Sequence, residues 1–260
     1  MKFSVITVCF NAGEKLKNTI DNILSQNFDD FEIVVKDGGS RDDSLKSIPE
    51  NEKIKVYSEK DAGIYDAMNQ AVKKASGDYV IFMNCGDYFF DENVLKKTAE
   101  FINENPGKKI YYGDAFFCSA NQIISQPKEI PESVCYRHMP NHQSCFFERS
   151  LWDDDGFDLK YKIRADYDFF LRCFFVKNIR PSYIGITVSK YEGGGYSESK
   201  ENIKKNELEH REIVVKYMGE KRANHYKRIM VLTLAPLRTW IAQKSIFSGL
   251  YNSIKKAIYH

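Results

Sequence analysis

The stretch Ser58–Phe89, SEKDAGIYDAMNQAVKKASGDYVIFMNCGDYF, sets a helix and a buried strand ahead of a single carboxylate. Ile64, Ala67, Met68, Ala71, Val72 and Ala75 recur at helical spacing, and Gly77 follows where a left-handed residue would end the helix. Tyr79–Met83 is almost wholly apolar, as expected of a strand covered on both faces, and it leads into Asn84, Cys85, Gly86 and Asp87. Ligands of open α/β sheets bind beyond such carboxyl ends. A carboxylate there can hold Mg²⁺ or Mn²⁺ while substrate phosphate oxygens take other positions on the ion, and Gly86 lets the backbone come close. A cap on the following helix would read the same way, so the flanking segments decide.

Working outward, Phe3–Phe10 and Phe31–Lys36 read as strands, the latter ending in Asp37-Gly38-Gly39-Ser40, and Lys53–Ser58 as a third. Leu16, Ile20, Ile23 and Leu24 mark a helix between the first two, and a short helix is expected over Asp42–Ile48. Strands alternating with helices imply crossover connections and a mainly parallel, doubly wound sheet. Past a helix over Asn93–Glu104, Asn105-Pro106-Gly107 marks a turn, and aromatic strands such as Lys109–Phe117 suggest a mixed sheet. Asp166–Val176 is a strongly apolar helix with two acids in its first turn, and Gly193-Gly194-Gly195 is expected to form a mobile loop. The pattern divides the chain into residues 1–105, 106–200 and 201–260.

With 260 residues, 43% of them hydrophobic, the chain can build one large α/β domain or two abutting halves. Six scattered cysteines without a CxxC pair, and a start that runs straight into a strand, predict free thiols in a reducing cytosol. The net charge of +2 hides an asymmetry: residues 221–260 hold eight Lys and Arg and no acid, leaving residues 1–220 at −6. The two parts are expected to meet different partners, neither of them nucleic acid.

GxGxxG and GxxxxGK[ST] are both absent, which removes the dehydrogenase and kinase readings. Strand-end polar residues remain: Thr7 and Asn11, Asp37, Glu59 and Asp61, then Asp66 and Asn69, several of which would converge on one sheet edge. Asp37 could accept from the N–H of uracil, although Asp-Gly-Gly-Ser is also a strong turn sequence. Asp166 could deprotonate a sugar hydroxyl, or simply cap its helix. Cys135, His138, His142 and Cys145 are metal-ligand types, but Pro140 forbids a helical histidine pair and Ser144–Phe147 reads as a core strand. His142-Gln143 is better read as a polar pair facing an acceptor.

SVITVCFNAG, VVKDGGSRDDS, SEKDAGIYDAMNQAVKKASGDYVIFMNCGD, HQSCFFERSLW, RADYDFFLR and EGGGYS, in that order over about residues 1–200, together resemble family-2 glycosyltransferases of the GT-A fold. The likeness is to bacterial enzymes that build surface polysaccharides. It implies inverting transfer from a nucleoside-diphosphate sugar with Mn²⁺ or Mg²⁺. By that resemblance Thr7 and Asp37 hold the nucleoside, Asp66 and Asn69 lie beside it and the diphosphate, Asp87 binds the metal, and Asp166 is the base. Two departures stand out: one carboxylate at the metal position where the family has two, and Ala165-Asp166 where it has Glu-Asp. The first weakens metal affinity without donor, and the second leaves the base less raised in pKa and makes Asp168 its competitor.

Leu237, Trp240, Ile241, Phe247, Leu250, Tyr251, Ile254 and Ile258 follow a helical stripe among cations. Ile229–Ala235 is far short of the ~20 apolar residues a membrane span needs, so a helix lying on an anionic membrane is expected, with a helical pair docked on the enzyme as the alternative. The sequence thus predicts a UDP-sugar-dependent transferase acting on a saccharide or lipid-linked saccharide at the inner face of the cell membrane. A sugar nucleotidyltransferase and a non-catalytic carbohydrate-binding module are the rival readings.

Overall fold

A computed structural model describes residues 3–193 and 202–233. The wholly buried strands β1 (Phe3–Cys9) and β2 (Phe31–Asp37), with β3 (Ile54–Ser58) and β4 (Tyr79–Phe82), pair in parallel in the order β3-β2-β1-β4. Helices α1 (Glu14–Leu24) and α2 (Ile64–Lys74) make two of the connections, as the alternating pattern predicted. β1 is central to this half: Phe3 to Cys9 pair with Phe31 to Asp37 on one side, and Phe3 to Ile6 with Tyr79 to Phe82 on the other. Such double burial is why these strands read as continuous apolar runs.

The helix expected over Asp42–Ile48 is reduced to a single 3₁₀ turn at Leu45–Ser47. Asp42 and Ser44 are engaged elsewhere: the Ser44 amide donates to Asp42 Oδ1, and Ser44 Oγ accepts the Gly13 amide at 2.7 Å. Short polar side chains that bond nearby backbone offer the chain an alternative to helix, and here they prevail.

The second half continues the same sheet. β5 (Asp87–Phe89), α3 (Val94–Glu104), β6 (Ile110–Phe117), β7 (Gln122–Ile124), α4 (Glu132–Arg137), β8 (Cys145–Glu148), α5 (Ala165–Leu171) and β9 (Ser182–Tyr191) follow in sequence. β8 runs antiparallel between β4 and β6, β9 lies parallel to β6, and β5 closes antiparallel on β9. The sheet therefore passes unbroken across residues 105 and 106, and mixed pairing begins at β8. The single helix expected over Asp166–Val176 is α5 followed by a wider π turn at Arg172–Val176.

Helices cover both faces. α1 and α3 pack Leu16, Ile20, Ile23, Leu95 and Ile102 on one, and α2 and α5 pack Met68, Val72, Phe169 and Phe170 on the other. On that second face Trp152 stacks on Phe169 with ring centroids 4.3 Å apart, and both meet Phe157. The last helix, α6 (Ile203–Leu232), breaks at Gly219, where φ is 75°. Its first part buries Ile213, Val214 and Met218 in the same core as α2 and α5, so the segment after the expected boundary at residue 201 packs onto the sheet's second face. Gly194 and Gly195, the EGGGYS motif beyond Gly193, and the stripe Leu237–Ile258 lie outside the described residues.

Candidate active site

The carboxyl ends of β3, β2, β1 and β4 lie side by side, and side chains tie their loops together. Asp37, without exposed surface, accepts from the amides of Gly39 at 3.0 Å and Ser40 at 3.1 Å, and from the hydroxyls of Ser40 at 2.5 Å and Ser58 at 2.6 Å. Burial pushes its pKa up, but these donors more than offset it and hold the carboxyl below its ordinary value. Asp37 thus organises the floor of the loop, as its turn sequence suggested. Asn11, left-handed at φ 49°, accepts the Arg41 amide at 2.9 Å and donates its own N–H to Ser40 Oγ at 2.8 Å. The loops after β1 and β2 form one platform.

A second feature of this edge escaped the sequence reading. Lys36, only 1% exposed, donates to the carbonyls of Asp37 at 2.8 Å and of Glu59, and pairs with Asp61 Oδ2 at 3.3 Å. A buried ammonium requires such partners. Asp61 closes over Gly38, where a Cβ would come within 2.7 Å of Asp61 Oδ2.

Other residues expected at the nucleotide are occupied differently. Thr7 has no exposed surface and its Oγ1 is buried without a partner, so its side chain does not reach the cleft. The Glu59 carboxylate faces Lys74 at 3.7 Å on the surface, and it is the backbone carbonyl that serves the edge. Asp66 holds the first turn of α2, accepting from the Ala62 amide at 2.8 Å and Gln70 Nε2 at 3.0 Å. Asn69 is taken up by packing: its Oδ1 accepts from the Phe157 amide at 2.8 Å and Trp152 Nε1 at 3.3 Å, while its Nδ2 donates to the Phe157 carbonyl at 2.9 Å. These contacts correct the expectation that the amide faces the diphosphate.

Beyond β4 the chain turns at Asn84–Gly86, with Gly86 at φ 99°, and Asp87 opens β5. Thr19 of α1 clamps this turn, accepting the Gly86 amide at 3.0 Å and donating to the Asp87 carbonyl at 3.2 Å. The Asp87 carboxyl sits in a low-dielectric notch. Burial raises its pKa to about 6, offset only in part by His142 and the Asn84 amide. Among the described residues no three His, Cys, Asp or Glu gather into a metal cluster. Asp87 nevertheless fits a divalent ion of the Mg²⁺ type, which commonly takes one or two carboxylates and completes its shell with substrate phosphates and water.

His142 links this carboxyl to the next. It lies in a 3₁₀ turn at His142–Ser144, after Pro140 and ahead of β8, with Gln143 buried beside it. His142 Nδ1 is 3.1 Å from Asp166 Oδ2 at the start of α5, and Nε2 is buried without a partner. Burial opposes charge on the imidazole, but Asp166 and then Asp87 outweigh it and raise its pKa. Asp166 Oδ1 also meets the Tyr65 hydroxyl at 3.0 Å and the Tyr167 amide at 2.8 Å. Burial raises the Asp166 pKa, yet His142, Tyr65 and that amide bring it below the ordinary value.

Asp168, two residues on, goes the other way. It is fully buried, with Oδ1 2.8 Å from Lys216 Nζ and 3.0 Å from the Tyr217 hydroxyl, both on α6. The first turn of α5 therefore separates its two acids, Asp166 to the site and Asp168 to the scaffold. Tyr65 carried no sequence signal beyond a place on the apolar face of α2.

The family model for glycosyl transferase family 2 matches residues 4–151, more than half of the chain. The chain belongs to that family. The "PGL/p-HBAD biosynthesis glycosyltransferase" of Mycobacterium bovis (strain BCG / Pasteur 1173P2) is 32% identical over 204 residues, covering 76% of this chain and 79% of the relative. The fold of this family-2 glycosyltransferase is GT-A. It is similar to Staphylococcus aureus TarS 1-349 in complex with UDP-GlcNAc, with TM-score 0.64, 21% identity, 90% of this chain and 72% of that one. It is also similar to the mannosyltransferase PcManGT from Pyrobaculum calidifontis in complex with GDP-Man and Mn²⁺, with TM-score 0.67, 13% identity, 96% of this chain and 83% of that one.

Proposed function

We propose that this glycosyltransferase moves a sugar with inversion from a UDP-sugar to a saccharide or lipid-linked saccharide in surface polysaccharide synthesis. One observation carries the reading: a carboxylate at the sheet edge, Asp87, stands across His142 from a second carboxylate, Asp166, oriented by Tyr65. The loops after β1, β2 and β3 present the nucleoside platform, with Asn11, Asp37 and the Lys36–Asp61 pair setting its shape. Asp87 would hold Mn²⁺ or Mg²⁺, and such an ion, when bound, neutralises charge building on the departing diphosphate. Asp166 accepts the proton of the acceptor hydroxyl as that oxygen attacks the anomeric carbon from the face opposite the diphosphate. His142, raised in pKa, keeps Asp166 ionised, while Tyr65 fixes its rotamer. Attack on the face opposite the diphosphate inverts the configuration. His142 and Gln143 border the space where the acceptor would lie.

The UDP-GlcNAc complex of TarS supports the donor class, and the mycobacterial relative is likewise a biosynthetic glycosyltransferase. Among the described residues no helix is long and apolar enough to cross a membrane. Contact with the inner face of the cell membrane is proposed for the basic segment beyond residue 233, whose cations and apolar stripe suit an anionic leaflet.

A thermal-shift panel of UDP-, GDP- and CMP-sugars with and without Mn²⁺ tests the reading, since a ligand that binds only the native state raises Tm. A UDP-sugar should stabilise the protein in the presence of Mn²⁺ and release UDP on transfer. Pyrophosphate release from UTP and a sugar phosphate would favour the nucleotidyltransferase reading. Carbohydrate binding without nucleotide binding would favour the non-catalytic one.

A further inference from the structure

The loop that delivers Asp166 buries the side chains of Tyr161 and Ile163, and α6 ties down its backbone. Glu209, 7% exposed, receives three consecutive backbone amides: Lys162 on Oε1 and Ile163 and Arg164 on Oε2, each at 2.9 Å. On the same stripe of α6, Asn206 accepts from Arg164 Nε, and Glu212 accepts the Tyr161 hydroxyl at 3.1 Å. The held segment ends one residue before α5 begins, and Asp166 is the second residue of that helix. Ile163 also returns a contact to the site, because its carbonyl lies 2.7 Å from the Tyr65 hydroxyl that bonds Asp166.

We infer that Glu209 is a positioning residue for the general base, fixing Asp166 through the 162–164 backbone and the shared hydroxyl of Tyr65. The inference rests on the reading of Asp166 as base. A carboxylate meeting three amides is a strong, directional clamp, because charge-assisted bonds are shorter and stiffer than neutral ones. Glutamine keeps the shape but offers one carbonyl oxygen, and its NH₂ opposes a backbone donor, so at least one buried amide is left unsatisfied. The segment must then shift. Catalysis is sensitive to such shifts, since a misplacement of about 1 Å can cost about 10²-fold.

The test compares Glu209→Gln with Asp166→Asn in the full-length protein, with turnover normalised to sites that bind UDP. Glu209→Gln should lower kcat by roughly 10- to 100-fold and leave the KM for donor and acceptor within about twofold. A role in stability alone would lower Tm and the number of UDP-binding sites while leaving kcat per site unchanged, and that result overturns the inference. If Asp166→Asn turns over normally, the base assignment fails instead. Should Glu209→Gln bind no UDP, Glu209→Asp decides. It keeps the charge and withdraws it by one methylene, and kcat per site should still fall about tenfold. Full kcat in Glu209→Asp, or loss of UDP binding in both variants, overturns the inference in favour of a role in folding.

Discussion

Asp166→Asn and Asp168→Asn should separate catalysis from stability, although two residues apart on one helical turn. Asp166 faces His142 and Tyr65 in the site, and an amide there keeps the contact to Tyr65 but cannot take a proton. A positioned base contributes about 10²- to 10⁴-fold, so kcat should fall by that factor with UDP binding close to that of the parent. Asp168 has no exposed surface and accepts from Lys216 and Tyr217, one bond being charge-assisted. Bonds to charged groups contribute about 1.5–3 kcal/mol and neutral ones about 0.5–1.5, so neutralising Asp168 weakens the two by roughly 2 kcal/mol in all. Lys216 is 43% exposed and returns to water, which keeps the loss below that of a wholly buried pair. For a domain of this size about 2 kcal/mol lowers Tm by roughly 4–8 °C. The assays are differential scanning fluorimetry and turnover per UDP-binding site. Normal turnover in Asp166→Asn with a crippled Asp168→Asn would refute the assignment of the two acids.

Asp87→Ala should abolish Mn²⁺-dependent UDP binding by calorimetry and leave Tm nearly unchanged, whereas undiminished Mn²⁺-dependent binding would remove Asp87 from the metal site. Glu32 is buried among Lys55, Ser4 and Ser76, whose hydrogen bonds outweigh the cost of burial and lower its pKa from 4.5 to about 2. A depressed folded-state pKa gives stability that is complete above the unfolded value of 4.5 and is lost as pH falls toward 2. Glu32→Gln should therefore cost up to ~3 kcal/mol at pH 7, and its deficit against the parent in urea melts should shrink between pH 5 and pH 3. A deficit that does not change with pH would contradict the origin given for it. Removal of residues 237–260 should abolish co-sedimentation with phosphatidylglycerol vesicles, and added salt should release the intact protein progressively. Equal binding to neutral and anionic vesicles, or no binding at all, would support a helical pair docked on the enzyme.

The sequence by itself determined what repeats along the chain or depends on neighbours. The buried runs of β1, β2 and β4 and the apolar stripe of α2 show a period of burial, and that period fixed the parallel half-sheet. Asp37 and Asp87 were legible because turn residues beside a buried strand put a carboxylate at a known edge. Tertiary structure decided whatever depended on side chains meeting from distant elements. Thr7, Asn69 and Asp168 have site-like identities, yet each is enclosed by residues that only the fold brings near: the sheet around Thr7, Trp152 and Phe157 around Asn69, Lys216 and Tyr217 around Asp168. Tyr65, Lys36 and Glu209 were missed for the converse reason. Their partners are 101, 25 and 46 positions away at Asp166, Asp61 and Ile163, and a hydrogen bond across such a separation leaves no periodic trace in the chain.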